Sequence, residues 1–325
     1  MILDNRSENL KVYIKAPSRL HFGILDLSGA LNRKYGATGQ TINEPCFELT
    51  AEESDRLEIT GSEKHTERAR SIVLQIAKIF DLPTDIKIQI FRGIPSHIGL
   101  SSTTQLTLAI GKALTYLCDR SVPIIELARR AGRGKNSGIG TYAFKSGGFI
   151  VDGGRRDEEF PPLIFRRDFP EEWQFVIATP DEKRGLDEES EEEFFEQIKA
   201  PVEIARKTCH LLVMKMVPAI AERDINVFGE ALSEMDKLVG EAFSPQQGGI
   251  YQSGVVSDIV EYMLEKGAYG AGQSSWGPTV YGLVKNDVQG EGLKREVEGF
   301  LRKRNLSGEV CVVRPDNKGA RVETG

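Results

Sequence analysis

Two hydrophobic periods meet at a loop between Ile86 and Cys118. Ile86, Ile88 and Ile90 alternate with Lys87, Gln89 and Phe91, and Gly93 and Pro95 bound the run, so the pattern predicts a half-buried strand. From Gln105 onward Leu106, Ile110, Ala113, Leu114 and Leu117 recur at helical spacing and predict an amphipathic helix. The connecting segment, Pro95 to Thr104, is rich in small and hydroxyl residues. Gly99 allows a positive φ or close approach of a ligand, while Ser101, Ser102, Thr103 and Thr104 bring hydroxyls to a helix start. Free N–H groups at such a start favour an anion by about 0.3–1 kcal/mol, and by up to about 2 when partly buried. The loop is thus a candidate phosphate cradle; the alternative is an ordinary Ser/Thr N-terminus that binds nothing. It matches neither the Walker spacing nor the dinucleotide Gly-x-Gly-x-x-Gly pattern.

The rest of the chain mixes both periods. Leu10 to Ile14 predicts a short strand entering APSRLHFGILDLSG, where Leu20, Phe22, Ile24 and Leu27 are apolar and Arg19, His21 and Asp26 are the polar residues of interest. His21 reads either as a ligand contact or as a hydrogen-bonded histidine on a half-buried strand. The segment NRKYGATGQTINEP has little periodicity and predicts a ligand-facing loop or strand crossing, and Phe47 to Thr60 predicts further strand. Helices are predicted over Glu67–Phe80 and Ile124–Ala131. The glycine-rich run from Gly132 to Gly154 implies tight turns or backbone contact with a ligand; in it Arg133 and Lys135 either meet phosphate or form a solvated basic loop.

A charged, proline-bearing stretch over 155–172 predicts a domain boundary, giving an N-terminal domain over 1–168 and a C-terminal domain over 169–325. Trp173 to Thr179 predicts a buried strand. The acidic run from Asp181 to Glu196 predicts a solvated helix face or a lid. Helices are expected over Val202–Ala221, Phe228–Val239, Ser257–Lys266 and Leu293–Leu301, with a last strand over Val310–Val313 before a polar tail. Gly267 to Val284 forms a second glycine and hydroxyl turn flowing into a strand; its Trp276 either stacks on an aromatic ligand or fills core. The order is mixed α+β, without regular βαβ alternation.

Composition narrows the function classes. A net charge of −6 over 325 residues argues against a general nucleic-acid surface and leaves a small ligand as the expected partner. Cys46, Cys118, Cys209 and Cys311 are widely spaced with no Cys-x-x-Cys pair, so they read as buried thiols and not as a zinc site or disulfide framework. The start, MILDNRSENLKV, has neither a basic region nor an apolar core, and no stretch is long and apolar enough for a membrane span. A cytoplasmic enzyme without nucleic-acid or membrane partners is expected.

Pro-x-x-x-Gly-Leu-Ser-Ser, at Pro95 to Ser102, resembles the phosphate loop of the GHMP kinase superfamily. Ala16-Pro17-Ser18-Arg19-Leu20 and Gly270-Ala271-Gly272 stand in the order of that superfamily's first and third motifs. Within the superfamily, PSRLHFGILD, GLSSTTQLTLAIG, GRGKNSGIGTYAFKSGGFIVDGG and GAGQSSWGPTVYG resemble the archaeal β-ribofuranosylaminobenzene 5′-phosphate synthase family. That resemblance implies a two-domain GHMP kinase fold, with a ribosomal-S5-like N-terminal domain and a ferredoxin-like C-terminal domain. The implied reaction, in methanopterin biosynthesis, condenses 5-phosphoribosyl 1-diphosphate with 4-aminobenzoate or 4-hydroxybenzoate, releasing CO2 and pyrophosphate. The chain departs from the synthase pattern at Ser101-Ser102-Thr103-Thr104 and at Gly36 to Gln40, where the family is richer in glycine.

Many GHMP kinases carry Ser-Gly-x-Asp with a catalytic aspartate, whereas this chain has Ser137-Gly138-Ile139-Gly140. Glycine cannot accept a proton through a side chain, which favours the synthase over a kinase. The resemblance implies donor phosphates against Pro95, Gly99, Leu100, Ser101, Ser102 and Thr103, with Mg2+ bridging pyrophosphate and touching Ser102. Arg19, His21, Gln273 and Ser274 are the catalytic candidates. Ser18, Arg133, Lys135, Ser137, Gly138, Gly272, Ser275 and Trp276 complete the candidate binding set. Two other functions stay open: an ATP-dependent small-molecule kinase using Asp26 or Asp152 as base, and a non-catalytic sensor of a phosphorylated metabolite. Monomer and homodimer are both open.

Overall fold

A computed structural model describes residues 10–157, 159–182, 185, 195, 197–198 and 200–325. Two long antiparallel strands, β1 (Lys11–Asp26) and β2 (Tyr35–Glu53), form the spine. The expected short strand and loop are therefore one hairpin. Residues 36 to 42 lie in β2 buried on both faces, and a strand covered on both faces loses the period-two signal. Register shifts in β1 fall between Ala16 and Ser18 and between His21 and Gly23. Such bulges bend a strand and re-aim its side chains, and the first accommodates Pro17, which has no N–H to give the ladder.

Chain order continues with β3 (Glu58–Thr60), α1 (Glu63–Phe80), β4 (Ile86–Arg92), α2 (Ser102–Leu117) and α3 (Ile124–Arg130). The glycine-rich run is more regular than turns alone: it holds α4 (Ile139–Ser146) and β5 (Phe149–Asp152). After β6 (Leu163–Arg167) comes β7 (Gln174–Pro180). Helix α5 (Val202–Leu211) then widens into a π turn over Leu212–Met216 before α6 (Val217–Glu222). Pro218, which lacks an N–H, enters the first turn of α6, so the helix expected over Val202–Ala221 is interrupted there.

Helix α7 (Ile225–Gln247) exceeds its expected span at both ends; Asp224 caps it, accepting from the N–H groups of Asn226 and Val227. It is followed by α8 (Gly254–Glu265), β8 (Ala271–Gln273), β9 (Val280–Val284), α9 (Asp287–Lys303), β10 (Gly308–Val313) and β11 (Arg321–Thr324).

The first sheet runs β11-β1-β2-β4-β3, with β5 pairing the first half of β2 and β6 pairing β5. The second is antiparallel, in the order β10-β7-β9-β8. Together with its helices this second sheet follows the β-α-β-β-α-β order of a ferredoxin-like unit. The polar tail is not loose: Val12 to Lys15 pair with Arg321 to Thr324, so the end of the chain joins the first sheet, although the sequence pattern groups it with the second half.

Aromatic contacts bind the two sheets into one core. Phe22 on β1 lies 5.2 Å from Tyr281 on β9, and Phe149 on β5 lies 6.1 Å from Phe228 on α7. Both pairs belong to a continuous buried cluster that also takes in α1 and α2. A cleft opens beside this shared core.

Candidate active site

Position 19 lies on β1 between the two bulges, and its guanidinium donates through Nη1 to the carbonyl of Gly99 at 2.5 Å. Gly99 has φ +87°, and any Cβ there would run into the carbonyl of Ser274. Glycine is required by both backbone and space. On the other side Ser274 is fully buried; its hydroxyl accepts from the N–H of His21 at 3.0 Å and donates to the carbonyl of Gly99 at 2.8 Å. Gly277 closes the joint, since a Cβ on it would fall on the backbone of Ile98. Three segments far apart in sequence are thereby locked at one corner.

Helix α2 begins at that corner. Its N-cap, Ser101, is left-handed at φ 68° and makes no side-chain cap. The first N–H groups of a helix have no partner within it, and no acidic residue stands in this first turn, so the amides are oriented to receive an anion. Arg68, which the pattern of motifs does not reveal, reaches over from α1. Its Nη1 donates to Ser96 Oγ at 2.6 Å, and its Nη2 donates to Ser102 Oγ at 3.3 Å and Thr103 Oγ1 at 3.1 Å. Gln105, wholly buried one turn into α2, donates to the carbonyl of Gly140 at 2.8 Å and ties the helix to the glycine-rich turn.

His21 Nε2 lies 3.2 Å from Ser137 Oγ, which in turn is 3.4 Å from Asp152 Oδ2. Burial, helped by the nearby charge of Arg19, pushes the imidazole well below its ordinary pKa, so His21 is neutral at neutral pH. Asp152 is fully buried and accepts from the N–H groups of Gly138 (2.8 Å) and Gly154 (2.9 Å). Burial raises its pKa to about 6 despite those bonds. It braces the turn from behind and does not face the cleft.

The cleft has a volume of about 440 Å³. Arg19, His21, Gly99, Leu100, Ser101, Ser102 and Thr103 line it on one side, and Arg133, Lys135 and Ser137 on another. Gln273, Ser275 and Trp276 complete it from the second sheet. Ser18, Pro95, Gly138, Gly272 and Ser274 are not among the residues that line it. Gln273 is half spent on scaffolding: its Nε2 donates to the carbonyl of Ser275 at 2.9 Å and its Oε1 accepts from the N–H of Gln252 at 2.9 Å. Trp276 lines the cleft and packs edge-on to Phe243 at 4.4 Å.

Sequence reasoning missed the wall supplied by α7. Asp236, Val239, Gly240, Phe243 and Gln247 all face the cleft from one side of that helix. Only the helical spacing of these positions could have signalled it. Most of the acidic run, and with it the lid expectation, lies outside the described residues; Phe195 is a described member and lines the cleft. No group of three His, Cys, Asp or Glu side chains that could hold a metal occurs among the described residues. No described helix is long and apolar enough to cross a membrane.

The two sheets, the uncapped α2 start and the interlocked motifs define a GHMP kinase-type protein. The "GHMP kinases N terminal domain" family model matches residues 67–148, and "GHMP kinases C terminal" matches 216–303. The Lactococcus lactis galactokinase structure superposes with a TM-score of 0.68 at 14% identity, covering 96% of this chain and 95% of that one, which speaks for the fold alone. A beta-ribofuranosylphenol 5'-phosphate synthase of Methanothermobacter thermautotrophicus is 34% identical over 96% of this chain and 98% of its own. Another, from Archaeoglobus fulgidus, is 31% identical over 95% and 99%. The chain belongs to the beta-ribofuranosylphenol 5'-phosphate synthase family within the GHMP kinase superfamily.

Proposed function

We propose that the protein joins 5-phosphoribosyl 1-diphosphate to 4-hydroxybenzoate, giving β-ribofuranosylphenol 5′-phosphate, CO2 and pyrophosphate. The ring carbon bearing the carboxylate attacks C1 of the ribose as the C1–O bond breaks and its electron pair leaves on pyrophosphate. Loss of CO2 then restores the aromatic ring. The relatives are named for a phenol product, which favours 4-hydroxybenzoate over 4-aminobenzoate.

The observation that carries the reading is at Gly140. A Cβ there would collide with Ser101 Oγ and come within 3.3 Å of Thr104 Cγ2. The position at which many kinases of the superfamily hold an aspartate admits a side chain only if the Ser101 hydroxyl turns away from it. What remains around the phosphate loop is cationic and donor-rich: the α2 amides, Arg19, Arg133 and Lys135. Such a set stabilises a departing pyrophosphate, and no carboxylate stands in the phosphate loop itself to activate an alcohol. His21, neutral and held beside Ser137, fits a hydrogen bond to the ribose or its 5′-phosphate and not a charge pair.

Magnesium would supply charge neutralisation to the pyrophosphate. The chain fits an ion carried mainly by substrate oxygens and water, because its one candidate ligand, the Ser102 hydroxyl, already accepts from Arg68. The test is to incubate the protein with Mg2+, 5-phosphoribosyl 1-diphosphate and carboxyl-labelled 4-hydroxybenzoate. Equal release of labelled CO2 and pyrophosphate is expected. No release, with saturable ATP binding, would replace the synthase with a kinase.

A further inference from the structure

Asp236 contributes the one carboxyl among the described residues that line the cleft. Every other charged side chain there is basic, and an acid beside the phosphate loop would repel the diphosphate donor. Its place has to be explained by the other reactant. The carboxyl is only 7% exposed, and Oδ1 accepts from the N–H of Gln273 at 2.9 Å. The hydroxyls of Tyr251 and Tyr281 stand close enough to interact with it, and both favour its charged form. These partners offset part of the cost of burying the carboxyl, and because Asp236 lines the cleft a bound ligand can donate to it as well.

The surroundings specify what that is. One and two turns further along α7, Val239 and Phe243 continue the same face as an apolar wall. Gly240 lets the following segment close against the helix, because a Cβ there would strike Ile250. Trp276, in the turn between β8 and β9, packs edge-on against Phe243. The result is an apolar wall with a carboxyl at one end.

We propose that Asp236 receives the para hydroxyl of the aromatic acceptor, with the ring laid along Val239, Phe243 and Trp276. This rests on the synthase reading and assigns the acceptor end of its site. It also gives the carboxyl a chemical task. As the new C–C bond forms at the ring carbon para to the hydroxyl, electron density is drawn from that oxygen and the O–H proton passes to the Asp236 carboxylate, leaving a cyclohexadienone that still carries the substrate's own carboxylate. When the C–CO2 bond breaks, its electron pair rebuilds the ring, and the dienone oxygen takes the same proton back. No net proton is gained or lost at Asp236. Burial raises the carboxyl to about 7, which suits a group that must hold and return a proton near neutrality.

The test compares the full-length wild type with Asp236→Leu and Asp236→Asn. Calorimetric titration with 4-hydroxybenzoate and with benzoate should show the wild type preferring the phenol by about 10-fold, the scale of one charge-assisted hydrogen bond. Asp236→Leu should reduce the preference to within about twofold. Asp236→Asn keeps an acceptor oxygen but cannot take the proton. It should keep the preference and lose about 100-fold in kcat with an unchanged KM for 5-phosphoribosyl 1-diphosphate. Equal binding of the two acids by the wild type overturns the proposal, as does an Asp236→Asn enzyme with full kcat. A variant whose only defect is a raised Mg2+ or diphosphate requirement overturns it too, by moving the carboxyl to the donor end. Absence of CO2 and pyrophosphate release by the wild type would instead sink the synthase reading, while the binding preference still decides whether Asp236 reads the hydroxyl.

Discussion

The hydroxyl of Ser274 donates to the carbonyl of Gly99 across 175 positions of sequence, at 2.8 Å, while accepting from the N–H of His21. The bridge fixes the phosphate loop against the turn after β8, so the loop's geometry depends on a residue that never faces the cleft. Ser274→Ala leaves a buried carbonyl and a buried N–H without this partner. It should lower stability by about 1–3 kcal/mol in urea unfolding and raise the KM for 5-phosphoribosyl 1-diphosphate. Unchanged stability and KM would show the bridge to be dispensable.

Arg68 spans Ser96, Ser102 and Thr103 from outside the loop. Its fork orders three hydroxyls and adds positive charge where the anion is expected. Arg68→Lys keeps the charge but cannot span three oxygens with one planar group. The KM for 5-phosphoribosyl 1-diphosphate should rise about 10-fold in Arg68→Lys and further in Arg68→Ala, about 1.4 kcal/mol for the first step. Steady-state kinetics at fixed acceptor would show this, and equal KM values for Arg68→Lys and wild type would refute it.

The strand Ile86–Arg92, the loop at Pro95 and the helix starting at Ser102 were legible because each has its own period and a clear break between them. The β1–β2 hairpin was only half legible. Thr38, Gln40 and Thr41 are buried in β2, and polar residues inside a doubly covered strand look like loop when read singly. Arg19 and Lys135 could be assigned to the cleft by motif. Asp236 could not, because a carboxyl in the middle of a helix reads as solvated until the packing around Gln273 and Tyr281 is known. Ser274 was legible as a motif residue, but its fully buried, bridging state is a property of the tertiary contact alone.

His21 and Asp236 make opposite contributions to acid stability. Burial lowers the folded pKa of His21, so below the unfolded value, about 6.5, the unfolded chain binds a proton that the folded one refuses, and stability falls as pH falls. Burial raises Asp236 from 3.8 to about 7, so its contribution is fully present below about 4 and is lost as pH rises through 7. Asp152, raised to about 6, acts in the same sense as Asp236. Urea midpoints from pH 7 down to pH 4 should therefore move in opposite directions in two variants. His21→Gln should gain on the wild type, and Asp236→Asn should lose on it, each by up to about 1.4 kcal/mol per pH unit. Parallel profiles for all three proteins would contradict the burial-driven shifts.

Restoring a carboxylate at Gly140 should not restore a kinase. Its carbonyl accepts from the buried Gln105, and its α-carbon faces Ser101 Oγ and Thr104, so the backbone of the glycine-rich turn is pressed directly onto the first turn of α2. An aspartate there must turn the Ser101 hydroxyl out of the first turn of α2 or shift the turn that carries Ser137 to His21. Either movement disturbs the phosphate cradle before a base could act. Gly140→Asp should lose synthase turnover by about 100-fold or more, the scale of a misplaced reacting group. It should show no ATP-dependent phosphorylation across a panel of small alcohols. Gly140→Ala, with a Cβ but no carboxylate, should share most of that loss; if it kept wild-type turnover, the contact with Ser101 would not be what excludes a side chain there.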